Sequence, residues 1–270
     1  MNMEYECKWG NSYSERFAVL SGTKQGGILS PDFFSLNIDD LIKLLRASKI
    51  GCHLIRLFIA CLLFADDMSL MAPTRSSLQQ LINICSEYCR KFCLKFNVSK
   101  TKVMVFGRSS SITGSFASLY IDNVAIEYVQ SYRYLGFHVL SGLQFKFSST
   151  ECLRGFFGAV NSVLSVLKRP RENVSMQLLY SNCVPKLTYG AAVRDLSAAE
   201  KHRYNVAVNN AVRRIFGFRQ WQSIRQLHEF YSYNSIEMMF ANARKRFLAS
   251  VANHSNKLLR SLYMIVEVAD

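Results

Sequence analysis

Cys61-Leu62-Leu63-Phe64-Ala65-Asp66-Asp67-Met68-Ser69-Leu70-Met71 sets two adjacent carboxylates between two apolar runs. The left run extends from Leu57 to Phe64, and the right run from Met68 to Ala72, closed by Pro73. Two short apolar runs around a polar pair predict a β-hairpin with Asp66 and Asp67 at or beside its turn. Flanks this apolar predict that at least one face is buried. Carboxylates on a buried hairpin lose hydration unless something pairs them. A divalent cation is one such partner, since Mg²⁺ takes one or two carboxylates together with substrate phosphates. An ordinary turn pair is the competing reading, because Asp favours turns.

Upstream, Ser21-Gly22-Thr23-Lys24-Gln25-Gly26-Gly27-Ile28-Leu29-Ser30-Pro31 carries three glycines in six residues, which lets a backbone come close to a ligand. A flexible connector is the plainer alternative. Ser30-Pro31 reads as an N-cap followed by proline at the first helical position. Phe34, Ile38, Leu41, Ile42 and Leu45 then predict a helix from about 31 to 46. Asp39 and Asp40 on it diverge by about 100° and read as a polar face. Downstream, Ser76 to Gln79 has capping-box spacing. Leu78, Leu81, Ile82, Cys85, Tyr88, Cys89 and Phe92 form the apolar stripe of a second helix, expected to pack on the hairpin.

Between Asp67 and Asp122 the sole acid is Glu87, against seven basic residues: Arg75, Arg90, Lys91, Lys95, Lys100, Lys102 and Arg108. A basic loop through Asn97 and Lys100 feeds a short strand. So basic a stretch beside an acidic hairpin suits phosphate handling, although exposed Lys and Arg are commonplace. Residues 108–118 read as a loop. Leu119 to Ile126 reads as a tight hairpin turning at Asp122-Asn123. Tyr132-Arg133-Tyr134-Leu135-Gly136-Phe137-His138-Val139 reads as a further strand, with Gly136 where something approaches closely.

From about Ser148 helical patterns take over, at roughly 149–168, 173–183, 197–216 and 235–253. They place a boundary near residue 147. Arg213-Arg214 and Arg244-Lys245-Arg246 are the densest basic points, with aromatic residues interspersed. Such mixtures grip nucleic-acid backbones and bases.

Composition agrees with a globular, basic chain. Half of the 270 residues are hydrophobic, and the formal charge is +14 from 33 basic and 19 acidic residues. That surplus points to a polyanionic partner. The eight cysteines show neither a CxxC pair nor Cys/His zinc spacing. Cys85, Cys89 and Cys93 recur every four residues and read as small buried hydrophobes on one helix side. No apolar run approaches the about 20 residues that span a bilayer, and no secretory leader pattern opens the chain. The expectation is an intracellular, membrane-free chain (nucleus or cytoplasm) with reduced thiols.

The order of these elements resembles the reverse transcriptase of non-LTR (LINE-type) retrotransposons. Gly22 to Pro31 resembles the family's template and nucleotide loop. Phe64-Ala65-Asp66-Asp67 resembles its catalytic carboxylate hairpin. Asn97 through Lys102 resembles the lysine motif after it. Tyr132-Arg133-Tyr134-Leu135-Gly136 resembles the primer-grip strand. Leu187-Thr188-Tyr189-Gly190 and the Arg213 to Gly217 region resemble the helical thumb and the segment after it. The resemblance covers roughly residues 15–250.

It implies an α+β fold: part of a right-hand polymerase palm over residues 1–147, an antiparallel sheet with packed helices, then a helical, basic thumb-like region over 148–270. It implies RNA-directed DNA synthesis on an RNA template and DNA primer from deoxynucleoside triphosphates. Two Mg²⁺ (or Mn²⁺) ions would activate the primer 3′-hydroxyl and stabilise the leaving pyrophosphate. Asp66 would be the main metal ligand and Asp67 a further or outer one. Lys24, Gln25, Gly26, Gly27 and Phe64 would line the nucleotide and template. Lys100, or Lys102 in second place, would offset the pyrophosphate charge. Tyr134, Leu135 and Gly136 would hold the primer.

One departure matters. The family's metal site takes another aspartate from a strand upstream of the Gln-Gly loop. The 21 residues before Gly22 contain only Glu4, Glu6 and Glu15 as acids. The expectation is a C-terminal polymerase portion that does not polymerise alone. A non-catalytic nucleic-acid-binding remnant is the alternative.

Overall fold

The computed structural model describes residues 3–19, 22, 26–107, 116–166, 171–256, 258–261, 263 and 264. Helices and small antiparallel sheets alternate in an α+β arrangement that groups into two units. One comprises residues 1–103 and 116–127, the other 104–115 and 128–270.

In the first unit, β1 (Met3–Tyr5) pairs antiparallel with β4 (Phe17–Val19), and β2 (Lys8–Trp9) with β3 (Ser12–Tyr13) between them in sequence. Helix α1 (Ser30–Ala47) comes next. It starts one residue earlier than the Ser30 cap predicts: the N-cap position falls on Leu29, which makes no side-chain cap bond, and Pro31 fixes the first turn. After it come β5 (His53–Leu54), β6 (Leu57–Phe58) and the predicted hairpin, β7 (Cys61–Phe64) with β8 (Asp67–Leu70).

Helix α2 spans Arg75–Lys91. The Ser76–Gln79 capping box does not form. Thr74, extended at φ −133°, accepts from the Ser77 amide instead, so the helix begins at Arg75. Three short strands complete the unit: β9 (Lys102–Val103), β10 (Leu119–Ile121) and β11 (Val124–Tyr128), in the sheet order β10-β11-β9. The β10-β11 turn is the predicted one. Asp122 and Asn123 both hold positive φ, 46° and 66°, as a two-residue hairpin turn of the right twist demands.

The core of this unit is built from one side each of α1, α2 and the hairpin. Ile38, Leu41, Leu45, Leu81, Cys85 and Tyr88 are buried around Ala60. Tyr88 sends its hydroxyl to the Asn37 carbonyl of α1. Cys61, Leu63, Met68 and Leu70 pack against this core from the hairpin. Gly51 makes that closeness possible: a Cβ there would lie 2.3 Å from the Ala60 Cβ, at φ +102°. Of the three cysteines at helical spacing, Cys85 and Cys89 are buried as expected. Cys93 is exposed, because α2 ends at Lys91 and the chain turns through Cys93 at φ +56°.

The second unit opens with β12 (Ser131–Tyr134), β13 (Phe137–Leu140) and β14 (Lys146–Phe147), an antiparallel sheet in that order. The stretch 132–139 is therefore two strands rather than one. Leu135 (φ 48°) and Gly136 (φ 82°) form its turn, since two adjacent positive-φ residues reverse the chain.

The helices of this unit are α3 (Ser149–Val166), α4 (Glu172–Leu178), α5 (Val184–Thr188), α6 (Ala198–Phe216), α7 (Arg225–Tyr231) and α8 (Ile236–Ala252), with a π-helical turn at Leu179–Cys183. Pro185 lacks the N–H that would continue the ladder, and the wide turn directly before it accommodates that break. Ser197 and Glu200 form a reciprocal capping box on α6, and Gly217 ends the helix in the left-handed conformation. Phe156, Met176, Leu187, Tyr204, Val212 and Phe240 anchor the buried core of this unit. Among the described residues no helix is long and apolar enough to cross a membrane.

Candidate active site and nucleic-acid interface

The hairpin β7-β8 pairs Phe64 directly with Asp67, so Ala65 and Asp66 are its two turn residues. Ala65 takes φ 52°, the left-handed conformation that a two-residue turn imposes. Alternation then divides the hairpin. Cys61, Leu63, Met68 and Leu70 pack inward, while Leu62 (49% exposed) and Phe64 (65% exposed) face out. Asp66 and Asp67 are both exposed. The expectation that these carboxylates lose hydration on a buried hairpin is therefore wrong. A turn at the tip of a hairpin anchored by one face leaves its charges in water. A cation there is a matter of chemistry at an open tip, not of offsetting burial.

Two adjacent carboxylates offer hard oxygen donors suited to a divalent cation alongside phosphate oxygens. Among the described residues, however, no group of three His, Cys, Asp or Glu side chains comes together to hold a metal ion. The donors present do not complete a two-ion centre. Asp39 and Asp40 are engaged elsewhere: both pair with Lys43 on α1, at 2.9 Å and 3.0 Å, and hold its ammonium well above the usual range.

Thr23, Lys24 and Gln25 lie outside the described residues. Gly26 (φ 78°) and Gly27 precede α1, and a Cβ at Gly26 would meet nothing within 4 Å, so its surroundings are open. Asn97 organises the basic loop: its Oδ1 accepts from the Ser99 hydroxyl at 2.6 Å and the Lys100 amide at 3.3 Å. Lys100 is exposed at this turn. Lys102 is half-buried and pairs with Glu127 at 2.6 Å, which offsets its charge locally.

In the second unit, Tyr134 pairs with Phe137 across the Leu135-Gly136 turn. Opposed residues share a face of an antiparallel pair, so the register sorts this sheet by chemistry. Tyr132, Tyr134, Phe137, Val139 and Phe147 fall on one face, and Arg133, His138 and Lys146, together with Ser131 and Leu140, on the other. The Tyr-Arg-Tyr alternation carries the signal for that basic face, but reading the stretch as a single strand conceals it.

The two densest basic points differ. Arg213 is committed to the protein, donating to the Gln222 carbonyl and Asn210 Oδ1 at 3.1 Å each, and Arg214 donates to Asn161 Oδ1 at 2.9 Å. Arg244, Lys245 and Arg246 are exposed along α8.

Sequence reasoning misses the buried Arg194 altogether. It is 3% exposed and donates to the Leu187 carbonyl at 3.1 Å and the Tyr204 hydroxyl at 2.5 Å. Burial pushes the Tyr204 phenol up to about 12, against the pull of Arg194.

Comparison with known proteins points to one family. A sequence model of the reverse transcriptase (RNA-dependent DNA polymerase) family matches residues 3–139. The RNA-directed DNA polymerase from mobile element jockey of Drosophila melanogaster is 23% identical over 256 residues, 90% of this chain and 27% of that protein. The Pol polyprotein from type-2 retrotransposable element R2DM of the same organism is 38% identical over 87 residues, 32% of this chain and 8% of the relative. A Pol polyprotein from type-1 retrotransposable element R2 of Popillia japonica is 26% identical over 212 residues, 75% of this chain and 29% of the relative. The chain thus spans about a quarter of the length of the jockey protein. With the family matched over half its length, and the jockey and Popillia japonica relatives over most of it, the chain belongs to the reverse transcriptase family, among those of non-LTR retrotransposons.

Proposed function

We propose that this chain carries the carboxylate hairpin, the primer-holding hairpin and the thumb of an RNA-directed DNA polymerase. Residues 1–147 form part of the palm, and 148–270 form the basic thumb and the C-terminal segment beyond it. The observation that carries the reading is the hairpin tip: two adjacent carboxylates held in water by an apolar anchor, within a chain of this family.

In this reading Asp66 and Asp67 are ligands for the divalent cation (Mg²⁺ or Mn²⁺) that the family uses. Lys24, Gln25, Gly26, Gly27 and Phe64 meet the incoming nucleotide and template, and exposed Lys100 meets the leaving phosphates. Tyr134, Leu135 and Gly136 hold the DNA primer. The two carboxylates are too few for a pair of ions, so no catalytic step is assigned to them alone. The chain by itself binds a primed RNA template without extending it.

The remnant reading, binding without catalysis in any context, is favoured by the same shortage of carboxylates among the described residues. Primer extension on a primed RNA template, with Mg²⁺ or Mn²⁺ and all four nucleotides, tests both. Extension that vanishes in Asp66→Ala refutes the remnant reading and the expected inactivity together. Hybrid binding that weakens with salt, without extension, fits a polymerase portion. Absence of hybrid binding sinks the proposal.

A further inference from the structure

Two turns of the second unit interlock by exchanging rings for missing side chains. The Tyr189 ring lies where a Cβ on Gly136 would be, with its Cε1 3.0 Å from that position. In return the Phe137 ring occupies the space above Gly190, where a Cβ would sit 2.2 Å from two of its carbons. The two rings stack on each other, with centroids 4.8 Å apart and planes at 26°. Each turn thus supplies one ring and one glycine. Both glycines also hold positive φ, 82° and 67°.

Tyr189 is fixed at every polar group. Its amide donates to the Pro185 carbonyl at 2.9 Å, its carbonyl accepts from Arg194 at 3.5 Å, and its hydroxyl donates to the Leu135 carbonyl at 3.0 Å. Arg194 is itself buried in the helical core, so the hairpin turn is tied to that core through one side chain. Yet Tyr189 is 55% exposed. A residue so open adds little to the core, and stability of the helices alone does not explain so complete a set of contacts. The ring contacts continue from Phe137 to Phe147, Phe145 and Phe106, at centroid spacings of 5.0, 5.0 and 5.7 Å.

We propose that Tyr189 and Gly190 are positioning residues for the Leu135-Gly136 turn, setting the height and angle at which that turn meets the primer terminus. This rests on the reading of the Ser131–Leu140 hairpin as the primer-holding element. The joint is rigid in both directions: the hairpin cannot tilt without driving Phe137 into Gly190 or pulling Leu135 off the Tyr189 hydroxyl.

The test uses the full chain with two independent readouts. Amide hydrogen exchange of residues 131–140 reports the joint without any ligand. Affinity for an RNA template with and without an annealed DNA primer reports its use. Tyr189→Leu is the main variant. Gly190→Ala, alone and combined with Phe137→Leu, covers the case in which loss of the tyrosine disturbs folding. Tyr189→Leu and Gly190→Ala each speed hairpin exchange about tenfold while α6 amides stay within about twofold. Each weakens primed-template binding about tenfold, with unprimed binding unchanged. Phe137→Leu restores part of the Gly190→Ala loss, because it removes the ring edge that the new methyl meets.

Unchanged hairpin exchange, or equal acceleration in α6, overturns the proposal. So does selective hairpin acceleration with primed-template binding intact. If the unaltered chain binds primed and unprimed RNA equally while the hairpin alone loosens in the variants, the primer reading fails and the positioning of the hairpin by Tyr189 stands.

Discussion

The side-chain amide of Gln79 pairs with both backbone groups of Tyr120. Its Nε2 donates to the Tyr120 carbonyl and its Oε1 accepts from the Tyr120 amide, at 2.8 Å and 2.9 Å. The helix side chain thereby acts as one more strand partner at the β10 edge. One turn earlier, Arg75 donates to the Ser118 carbonyl at 3.1 Å. The spacings agree: four helical residues rise about 6 Å, and two strand residues about 6.7 Å. Gln79→Leu should cost about 1–2 kcal/mol, since a β10 amide and carbonyl lose their partners at once. Gln79→Glu keeps the acceptor but sets a carboxylate against the Tyr120 carbonyl, and should cost as much. Exposed Gln80→Ala is the control. Urea denaturation reads all three, and equal midpoints for Gln79→Leu and Gln80→Ala would remove Gln79 from the account.

Among the described residues no carboxylate lies within ion-pair distance of Arg194, although its charge helps to hold the Glu200 carboxyl below its ordinary value. Backbone carbonyls and the Tyr204 hydroxyl carry its hydrogen bonds, the Tyr204 and Phe240 rings lie 5.6 Å and 6.0 Å from the guanidinium carbon, and Nε is left without a partner in the described structure. Tyr204→Phe removes one acceptor from a buried cation and should cost about 1–3 kcal/mol. Arg194→Met keeps volume but leaves the Leu187 and Tyr189 carbonyls unpaired, and should cost about 2–4 kcal/mol. A double-mutant cycle between the two positions should show strong coupling. Additive losses would mean that the hydroxyl contact contributes nothing.

Periodicity accounts for the part of the fold that is legible in the sequence. The four long helical patterns after residue 148 correspond to α3, α4 with its π turn, α6 and α8, because each carries several turns of one-sided apolar spacing. α5 and α7 are too short to show a period. The carboxylate turn is legible because apolar runs bracket it. Its exposure is not, because outward Leu62 and Phe64 look the same in sequence as inward Cys61 and Leu63. The hairpin at 131–140 reads as one strand since Leu135 carries no turn signal, although its Gly136 does. Arg194 lies between helices with no patterned neighbour, so only three-dimensional packing exposes its role.

Two of the turn residues with positive φ make a prediction about strain. Ala65 and Leu135 hold φ 52° and 48°, where a Cβ is disfavoured. Ala65→Gly should stabilise the chain by about 0.5–1 kcal/mol, and Asp66→Ala should change stability by less than about 0.5 kcal/mol because the carboxylate is exposed. Leu135→Asn creates the favoured Asn-Gly turn and should stabilise to a similar degree. Thermal melts compare the three. A loss of stability in Ala65→Gly would contradict the turn geometry.

Thiol chemistry separates the cysteines. Burial pushes the Cys61 thiol up to about 11 and the Cys85 thiol up to about 12. Cys7 and Cys93 are exposed. Brief iodoacetamide treatment of the native chain at pH 8 should modify Cys7 and Cys93 and spare Cys85, as mass spectrometry of peptides would show. Early modification of Cys85 would mean that the core between α1 and α2 opens readily.

His228 gives the second unit a pH dependence. Its Nε2 lies 3.0 Å from Asn209 Oδ1, and its Nδ1 lies 3.4 Å from the Tyr180 hydroxyl. The neutral ring satisfies both: Nε2–H donates to Asn209 and Nδ1 accepts from Tyr180, whose own phenol burial pushes up to about 12. Protonation would require the Tyr180 hydroxyl to turn from donor to acceptor at Nδ1, and burial lowers the imidazole below its ordinary value. The unfolded imidazole titrates near about 6.5. Between that value and the lower folded one the unfolded chain binds more protons, so stability falls as pH falls. This contribution is complete above about 6.5 and disappears as pH drops through the folded value. His228→Gln preserves a donor toward Asn209 and an acceptor toward Tyr180 but cannot titrate. Urea midpoints measured from pH 7.5 to pH 5 should decline more steeply for the unaltered chain than for His228→Gln. Parallel declines would assign the acid sensitivity to other groups.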